Sequence, residues 1–288
     1  MHHPSTSPSA RSARPAAESR PLRAAAPDVR DRLFEPIAGR SFALEVTATE
    51  PAVLAGAHRL TALAVQLGLE LEWTARDGDR LQPGAPVARG RGDAWKIVRA
   101  EETLLSAIGK ASGVASAAAQ LVGMAGDRAR IVCGAWKKVA PELRAELREA
   151  VALGGGGQRI LDRPFVYLDK NYVRMLGGVA AAVRQARRIE DRAIVVQLRG
   201  EAQAIGREAD AAIDAGADVL MVDTGRLPDL ADVSERARRR EPGRIVVAFG
   251  GGVHPGNVAA VIEAGAQVLD VGRAILDAPL VDFRLDVG

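Results

Sequence analysis

The chain has 288 residues, enough for one large domain or two modest ones around a sizeable core. Apolar residues make up 48% and charged residues 26%, an ordinary globular balance, and part of the net charge of +3 sits where Arg11, Arg14, Arg20 and Arg23 face only Glu18. The remaining body is near neutral and aromatic content is 3%, which argues against a nucleic-acid partner; no apolar stretch reaches the roughly 18 residues of a membrane span, and the single Cys133 excludes a disulfide framework or a multi-cysteine metal site. These properties fit a cytoplasmic protein.

Residues 1–27 are rich in Pro, Ser, Ala and Arg without periodicity. They read as a disordered tail rather than a transit peptide, and they lack the apolar core of a secretory signal. Residues 51–69 predict a helix and 69–74 alternate like a strand. Asp77-Gly78 and Pro83-Gly84 then mark turns between short apolar pieces, which suggests a small strand-and-turn sandwich. A long helical pattern covers 94–120, interrupted near Gly109 and Gly113.

From about residue 128 the rhythm is regular. Nearly continuous Val, Ile and Leu runs at 130–133, 165–168, 194–198, 219–222, 245–249 and 268–271 read as parallel strands buried on both faces. Helices are predicted between them at 141–153, 173–189, 201–215, 228–240 and 256–265. The alternation predicts βαβ units, arranged as a closed barrel or an open doubly wound sheet.

In either arrangement a ligand sits beyond the C-terminal strand ends. Those ends deliver Trp136-Lys137-Lys138, Asp169-Lys170-Asn171, Arg199-Gly200-Glu201, Asp223-Thr224-Gly225, Gly250-Gly251-Gly252 and Gly272-Arg273. The chain holds 34 Arg and only five Lys, so three lysines on one rim form a pattern. Glycine turns let phosphate approach backbone N–H groups, which points Gly251, Gly252, Gly272 and Arg273 toward a phosphate. Asp223 suits sugar hydroxyls or a metal, and the Gly154–Gly157 run reads as flexible enough to bring Arg159 to the rim. His58 and Cys133 read as structural, and His254 as a surface or capping residue.

Several segments, in order, resemble the quinolinate phosphoribosyltransferase family (nicotinate-nucleotide pyrophosphorylase, decarboxylating). Ser112-Gly113-Val114-Ala115-Ser116 is similar to its Ser-Gly-Ile-Ala-Thr segment, and Lys137–Arg144 to its Arg-Lys-Thr-Thr-Pro-Gly-Leu-Arg motif. Ala150-Val151 with Gly154–Gly156, Leu168-Asp169-Lys170, Met221-Val222-Asp223, Gly250–Val253, Gly272 and Asp282–Asp286 resemble its further segments in turn. The resemblance implies an α/β fold: an incomplete βα barrel over 128–275, plus an N-terminal α/β sandwich domain over 28–127 joined by 276–288. It also implies a homodimer or higher homo-oligomer, and transfer of ribose 5-phosphate from phosphoribosyl pyrophosphate to a small heteroaromatic acid with Mg²⁺.

By carry-over Lys138, Lys170 and Asp223 would be catalytic, with Asp223 the metal ligand. Lys137, Arg144, Arg159, Gln197, Gly251, Gly252, Gly272 and Arg273 would bind substrate. The departures gather where the acceptor binds. Lys137 stands for an arginine and loses a bidentate fork, Val139-Ala140 replace a threonine pair, Tyr172 falls within the Lys-Asp-Asn-His segment, and the family's Glu-Val-Glu ribose contacts fall near Val195-Val196-Gln197. The expectation from sequence is therefore a transferase with an altered acceptor. The alternatives are a genuine quinolinate enzyme, or a relative that does other chemistry on, or only binds, a phosphorylated ligand.

Overall fold

The computed structural model describes residues 28–288, so the tail predicted for 1–27 lies outside the described residues. The chain divides into one compact unit ending at Ala38 and another spanning Gly39–Gly288. In the first, Asp28 caps helix α1 (Val29–Leu33) by accepting the Arg30 N–H at 3.0 Å, and a 3-10 turn follows at Glu35–Ile37. Every element below belongs to the second unit.

That unit opens with β1 (Phe42–Ala48), β2 (Ala52–Val53), α2 (Ala57–Gln66), β3 (Glu70–Trp73), β4 (Arg80–Leu81), β5 (Pro86–Gly92) and α3 (Ala94–Ala125). The helix predicted at 51–69 is shorter than its pattern. Its first residues pair instead as β2 with β4, and Gly56, at φ +95°, turns the chain into α2. Conversely, α3 runs through Gly109 and Gly113 without a break. Those glycines mark close approach: a Cβ on Gly113 would stand 2.0 Å from the Pro279 carbonyl oxygen, and one on Gly109 2.9 Å from that of Val281.

The second half alternates β6 (Arg130–Val132), α4 (Arg144–Leu153), β7 (Phe165–Leu168), α5 (Lys170–Met175), α6 (Val179–Ala186), β8 (Ala193–Leu198), α7 (Ile205–Ala215), β9 (Val219–Val222), α8 (Leu227–Arg240), β10 (Val246–Gly250), α9 (Val258–Glu263), β11 (Val268–Asp270) and α10 (Arg273–Leu276). All six strands are parallel, in the order β6-β11-β10-β9-β8-β7. The first strand thus lies beside the last but not beside the second. Val132, Phe165, Val195, Met221, Ala248 and Val268, one from each strand, meet in a single apolar cluster, as a curled sheet requires. The sheet is therefore an incomplete barrel, open between β6 and β7. Ile160 and Leu161 fill that seam, and Gly157 bridges to Val132 at its edge.

The helix predicted at 173–189 is two helices, because Gly177 and Gly178 adopt φ +82° and +114° between them. The Gly154–Gly157 run is packed rather than flexible: a Cβ on Gly154 would lie 2.3 Å from the Ala115 carbonyl oxygen of α3. The last strand, β12 (Phe283–Val287), pairs antiparallel with β1, giving a second sheet in the order β12-β1-β5-β3. Helix α3 serves both sheets. Ile97, Ala100, Leu104 and Ile108 pack with the antiparallel one, while Val114, Ala118 and Leu121 join the core beneath the barrel. The Ser112 and Ser116 hydroxyls on α3 accept the Ala55 and Val53 N–H groups at 3.0 and 2.8 Å, which explains small hydroxylated residues in that segment.

Candidate active site

A cavity of about 620 Å³ opens at the C-terminal ends of the parallel strands. Its walls follow from how each strand ends. After β6 the chain makes a 3-10 turn, Trp136–Lys138, whose tryptophan is buried. The indole N–H donates to the Gln158 carbonyl at 3.3 Å, and the Arg148 guanidinium from α4 lies 5.1 Å over the ring. The apolar anchor sets where Lys137 and Lys138 emerge, and it brings Arg148 to the same wall.

On the neighbouring strand stands Asp270, at the end of β11, whose Oδ1 accepts the Gly134 N–H at 2.7 Å. Gly134 has no room for a side chain, since a Cβ would lie 2.8 Å from the Asp270 carboxylate. Burial holds the Asp270 carboxyl above the usual range, and the charge of Asp223 adds to this. The Gly134 N–H, Lys138 and Lys137 pull the other way. Tyr167 on β7 faces the same space, its phenol pushed up by burial and by Asp270, Asp223 and Asp169.

Asp223, at the end of β9, is tightly held. Its Oδ2 accepts Gln197 Nε2 at 2.5 Å and Arg199 Nη1 at 2.9 Å, and its backbone oxygen accepts Arg199 Nη1 at 3.1 Å. Gln197 Oε1 in turn accepts the Lys170 N–H at 2.7 Å. Beyond β10, Gly251 and Gly252 take φ +91° and +107°, and a Cβ on Gly251 would stand 2.9 Å from the Gly225 nitrogen. Asn257 holds this turn by donating to the Gly252 carbonyl at 3.0 Å and accepting the His254 N–H at 2.9 Å.

Of the residues proposed from sequence, Lys137, Lys138, Arg159, Gln197, Asp223, Gly251, Gly252, Gly272 and Arg273 line this one cavity. Lys170 and Arg144 do not. Asp169 caps α5 by accepting the Asn171 and Tyr172 N–H groups, so Lys170 becomes an exposed helix residue that contributes its backbone N–H to Gln197. Arg144 Nε donates to the Val139 carbonyl at 2.9 Å and braces the turn before α4. Sequence reasoning missed Asp270, Arg148, Tyr167 and the anchoring role of Trp136. Asp270 carried a readable signal, an acid closing an otherwise apolar parallel strand.

His254 sits in the turn that Asn257 holds, and its Nδ1 accepts the Gly256 N–H at 3.1 Å. His58 Nδ1 lies 2.5 Å from Asp77 Oδ2, far along the chain from the cavity wall. Cys133 is buried, with its thiol pushed up to about 11 by burial, which fits packing rather than nucleophilic chemistry.

Among the described residues no group of three or more His, Cys, Asp or Glu side chains is placed to hold a metal ion. At Asp223, the acid expected to bind Mg²⁺, one carboxylate oxygen is already taken by an amide and a guanidinium. The residues present do not fit a protein-held Mg²⁺ at this point.

Comparison with known proteins shows the family and the fold. The family model described as quinolinate phosphoribosyl transferase, C-terminal domain, matches residues 114–286, and the N-terminal domain model of the same family matches 31–112. The chain is 30% identical over 241 residues to the nicotinate-nucleotide pyrophosphorylase (carboxylating) of Homo sapiens, covering 83% of this chain and 80% of that protein. It is 29% identical over 242 residues to a probable nicotinate-nucleotide pyrophosphorylase (carboxylating) of Archaeoglobus fulgidus, covering 82% and 90%. Among solved structures, the nicotinate-nucleotide pyrophosphorylase of Francisella tularensis superposes with a TM-score of 0.74 at 24% identity, over 90% of this chain and 94% of that one. The Pyrococcus furiosus protein of the same name gives 0.77 at 20% identity, over 90% and 72%. At such identities the structures speak for the fold.

Proposed function

The chain belongs to the quinolinate phosphoribosyltransferase family of pentosyl-transferring enzymes, and from that premise we propose that it joins the ribose 5-phosphate of phosphoribosyl pyrophosphate to the nitrogen of a pyridine dicarboxylate, quinolinate. The names of its relatives describe the reverse direction, pyrophosphorolysis of nicotinate nucleotide with carboxylation. Run forward, the C–O bond to pyrophosphate breaks, a C–N bond to the ring forms, and one carboxylate leaves as carbon dioxide with its ring carbon taking up a proton from solvent. This favours the quinolinate reading over the altered acceptor expected from the sequence departures.

The observation that carries the proposal is the charge arrangement of one cavity. Lys137, Lys138, Arg148, Arg159 and Arg273 bring five cations to a space that also holds a glycine turn and three strand-end acids, Asp169, Asp223 and Asp270. A reaction through an oxocarbenium-like ribose with a pyrophosphate leaving group needs fixed cations at the leaving group rather than a strong base. Arg148 and Arg159 can grip a carboxylate through two parallel hydrogen bonds, as Lys137, a point charge, cannot. Lys137 and Lys138 act as point charges for pyrophosphate. The Gly250–Gly252 turn, kept free of side chains, takes the 5′-phosphate. Asp223, its Oδ2 pinned, offers its other oxygen to ribose hydroxyls.

Mg²⁺ belongs in this proposal as a companion of the pyrophosphate, which can carry it in with few protein ligands. A homodimer or larger homo-oligomer and a cytoplasmic location are also proposed. No helix among the described residues is long and apolar enough to cross a membrane.

The test is pyrophosphate release from phosphoribosyl pyrophosphate with quinolinate and a panel of other heteroaromatic acids. Release with quinolinate, together with nicotinate mononucleotide and carbon dioxide, is the expected result. Release with another acid and none with quinolinate would restore the altered-acceptor reading. No release with any acceptor, despite tight binding of ribose 5-phosphate, would end the transferase proposal.

A further inference from the structure

The charge on Asp223 is balanced from within the protein. Arg199 Nη1 lies 2.9 Å from Asp223 Oδ2 and 3.1 Å from its carbonyl oxygen, while Gln197 adds a neutral amide at 2.5 Å. Arg199 is itself held on two further sides. Its Nε donates to Glu201 Oε1 at 2.9 Å, and Glu201 is also paired with Arg174 at 2.5 Å. The backbone N–H groups of Arg199 and Gly200 donate to Glu208 Oε2 at 3.0 and 2.8 Å. Glu208 is 5% exposed, a buried carboxylate whose Oε2 is committed to fixing this loop. The guanidinium is therefore a positioned charge and not a mobile surface arginine.

Two consequences follow for Asp223. Its orientation is set through Oδ2, and Oδ1 is left on the cavity side, the carboxylate atom nearest the Cβ positions of Gly250 and Gly251. A divalent cation on Oδ1 would also share a carboxylate with a guanidinium, and two like charges so close repel strongly in a half-buried site.

We propose that Arg199 stands where a protein-bound divalent cation would otherwise neutralise Asp223: it fixes the carboxylate as a one-oxygen acceptor and leaves the ligand-free protein without a metal site there. Arg199 is thus a positioning residue, acting through Asp223. That it does so for ribose hydroxyls rests on the transferase reading above; the absence of a metal site does not.

The test is a titration of Mn²⁺ alone into the full chain without substrate, followed by electron paramagnetic resonance. Wild type is expected to show no saturable site that depends on Asp223, so Asp223→Asn leaves the titration unchanged. Combining Gln197→Glu with Arg199→Met supplies a second carboxylate and removes the guanidinium. That double variant is expected to bind Mn²⁺ at a saturable site, at least tenfold more tightly than Gln197→Glu with Arg199→Lys, which keeps the charge. A wild-type Mn²⁺ site abolished by Asp223→Asn would overturn the proposal, and so would equal Mn²⁺ affinity in the two double variants. If the double variants fail to fold, Arg199→Met alone keeps the comparison: it is expected to gain an Mn²⁺ site that Asp223→Asn removes, and an Mn²⁺ titration no different from wild type would overturn the role given to Arg199. Failure of the transferase assay would leave these titrations readable, since they contain no substrate.

Discussion

One helix allows the packing argument to be tested against itself. Gly113 and Gly123 both lie within α3, and replacing either by alanine offers the same gain in helix propensity, about 0.5–1 kcal/mol. At Gly123 nothing lies within 4 Å of the new Cβ, so Gly123→Ala should stabilise by about that amount. At Gly113 the Cβ would stand 2.0 Å from the Pro279 carbonyl oxygen and 3.1 Å from its carbonyl carbon. That segment has little freedom to retreat. Lys110 Nζ holds the Leu276 and Ala278 carbonyls at 2.9 Å each, and the Val281 N–H donates to Gly109 at 3.1 Å, just before the chain enters β12. Forcing a methyl group into such a contact costs about 1–3 kcal/mol or more. After the propensity gain, Gly113→Ala should destabilise by up to about 2 kcal/mol or more, and because that gain is common to both variants they should lie apart by the overlap cost, roughly 1–3 kcal/mol. Urea unfolding with a shared m value measures this as midpoints moving in opposite directions. Two shifts of the same sign would refute the claim that Gly113 is kept for the passage of the C-terminal segment.

Asp270→Asn keeps an acceptor for the Gly134 N–H but removes the buried charge. Because the folded pKa is raised, the group's contribution to stability is full below the ordinary aspartate pKa and is lost as pH rises through the folded value. Wild type should therefore lose Tm relative to Asp270→Asn over that window, and parallel Tm–pH profiles would show that burial does not burden this carboxyl. Lys138→Ala should weaken binding of inorganic pyrophosphate by about tenfold, as expected for one lost charge-assisted hydrogen bond, and flatten the salt dependence seen by calorimetry; unchanged affinity at low salt would place the pyrophosphate elsewhere.

How far the sequence reached depends on which interaction set each feature. The six parallel strands were readable because burial on both faces leaves few choices but Val, Ile and Leu, and strand ends then follow from topology. That is why Asp223, the lysine pair and the Gly250–Gly252 turn could be assigned to one rim before any coordinate. Glycines were harder, since the same residue serves opposite purposes. Gly177 and Gly178 end a helix through positive φ, whereas Gly109 and Gly113 remain inside one to let a carbonyl pass. Side chains that reach the cavity through tertiary packing left almost no local signal. Arg148 belongs to a helix, and only the buried Trp136 ring beside it brings it to the wall. Lys170 shows the converse: it follows a buried strand directly, yet the Asp169 cap starts a helix there and sends the side chain to solvent. Gln197 is the most instructive case. In sequence it reads as an acid lost from a ribose-binding pattern. In three dimensions its amide and the Arg199 guanidinium two residues on both close on Asp223, so what looked like a weakened site is one whose positive charge comes from the chain itself.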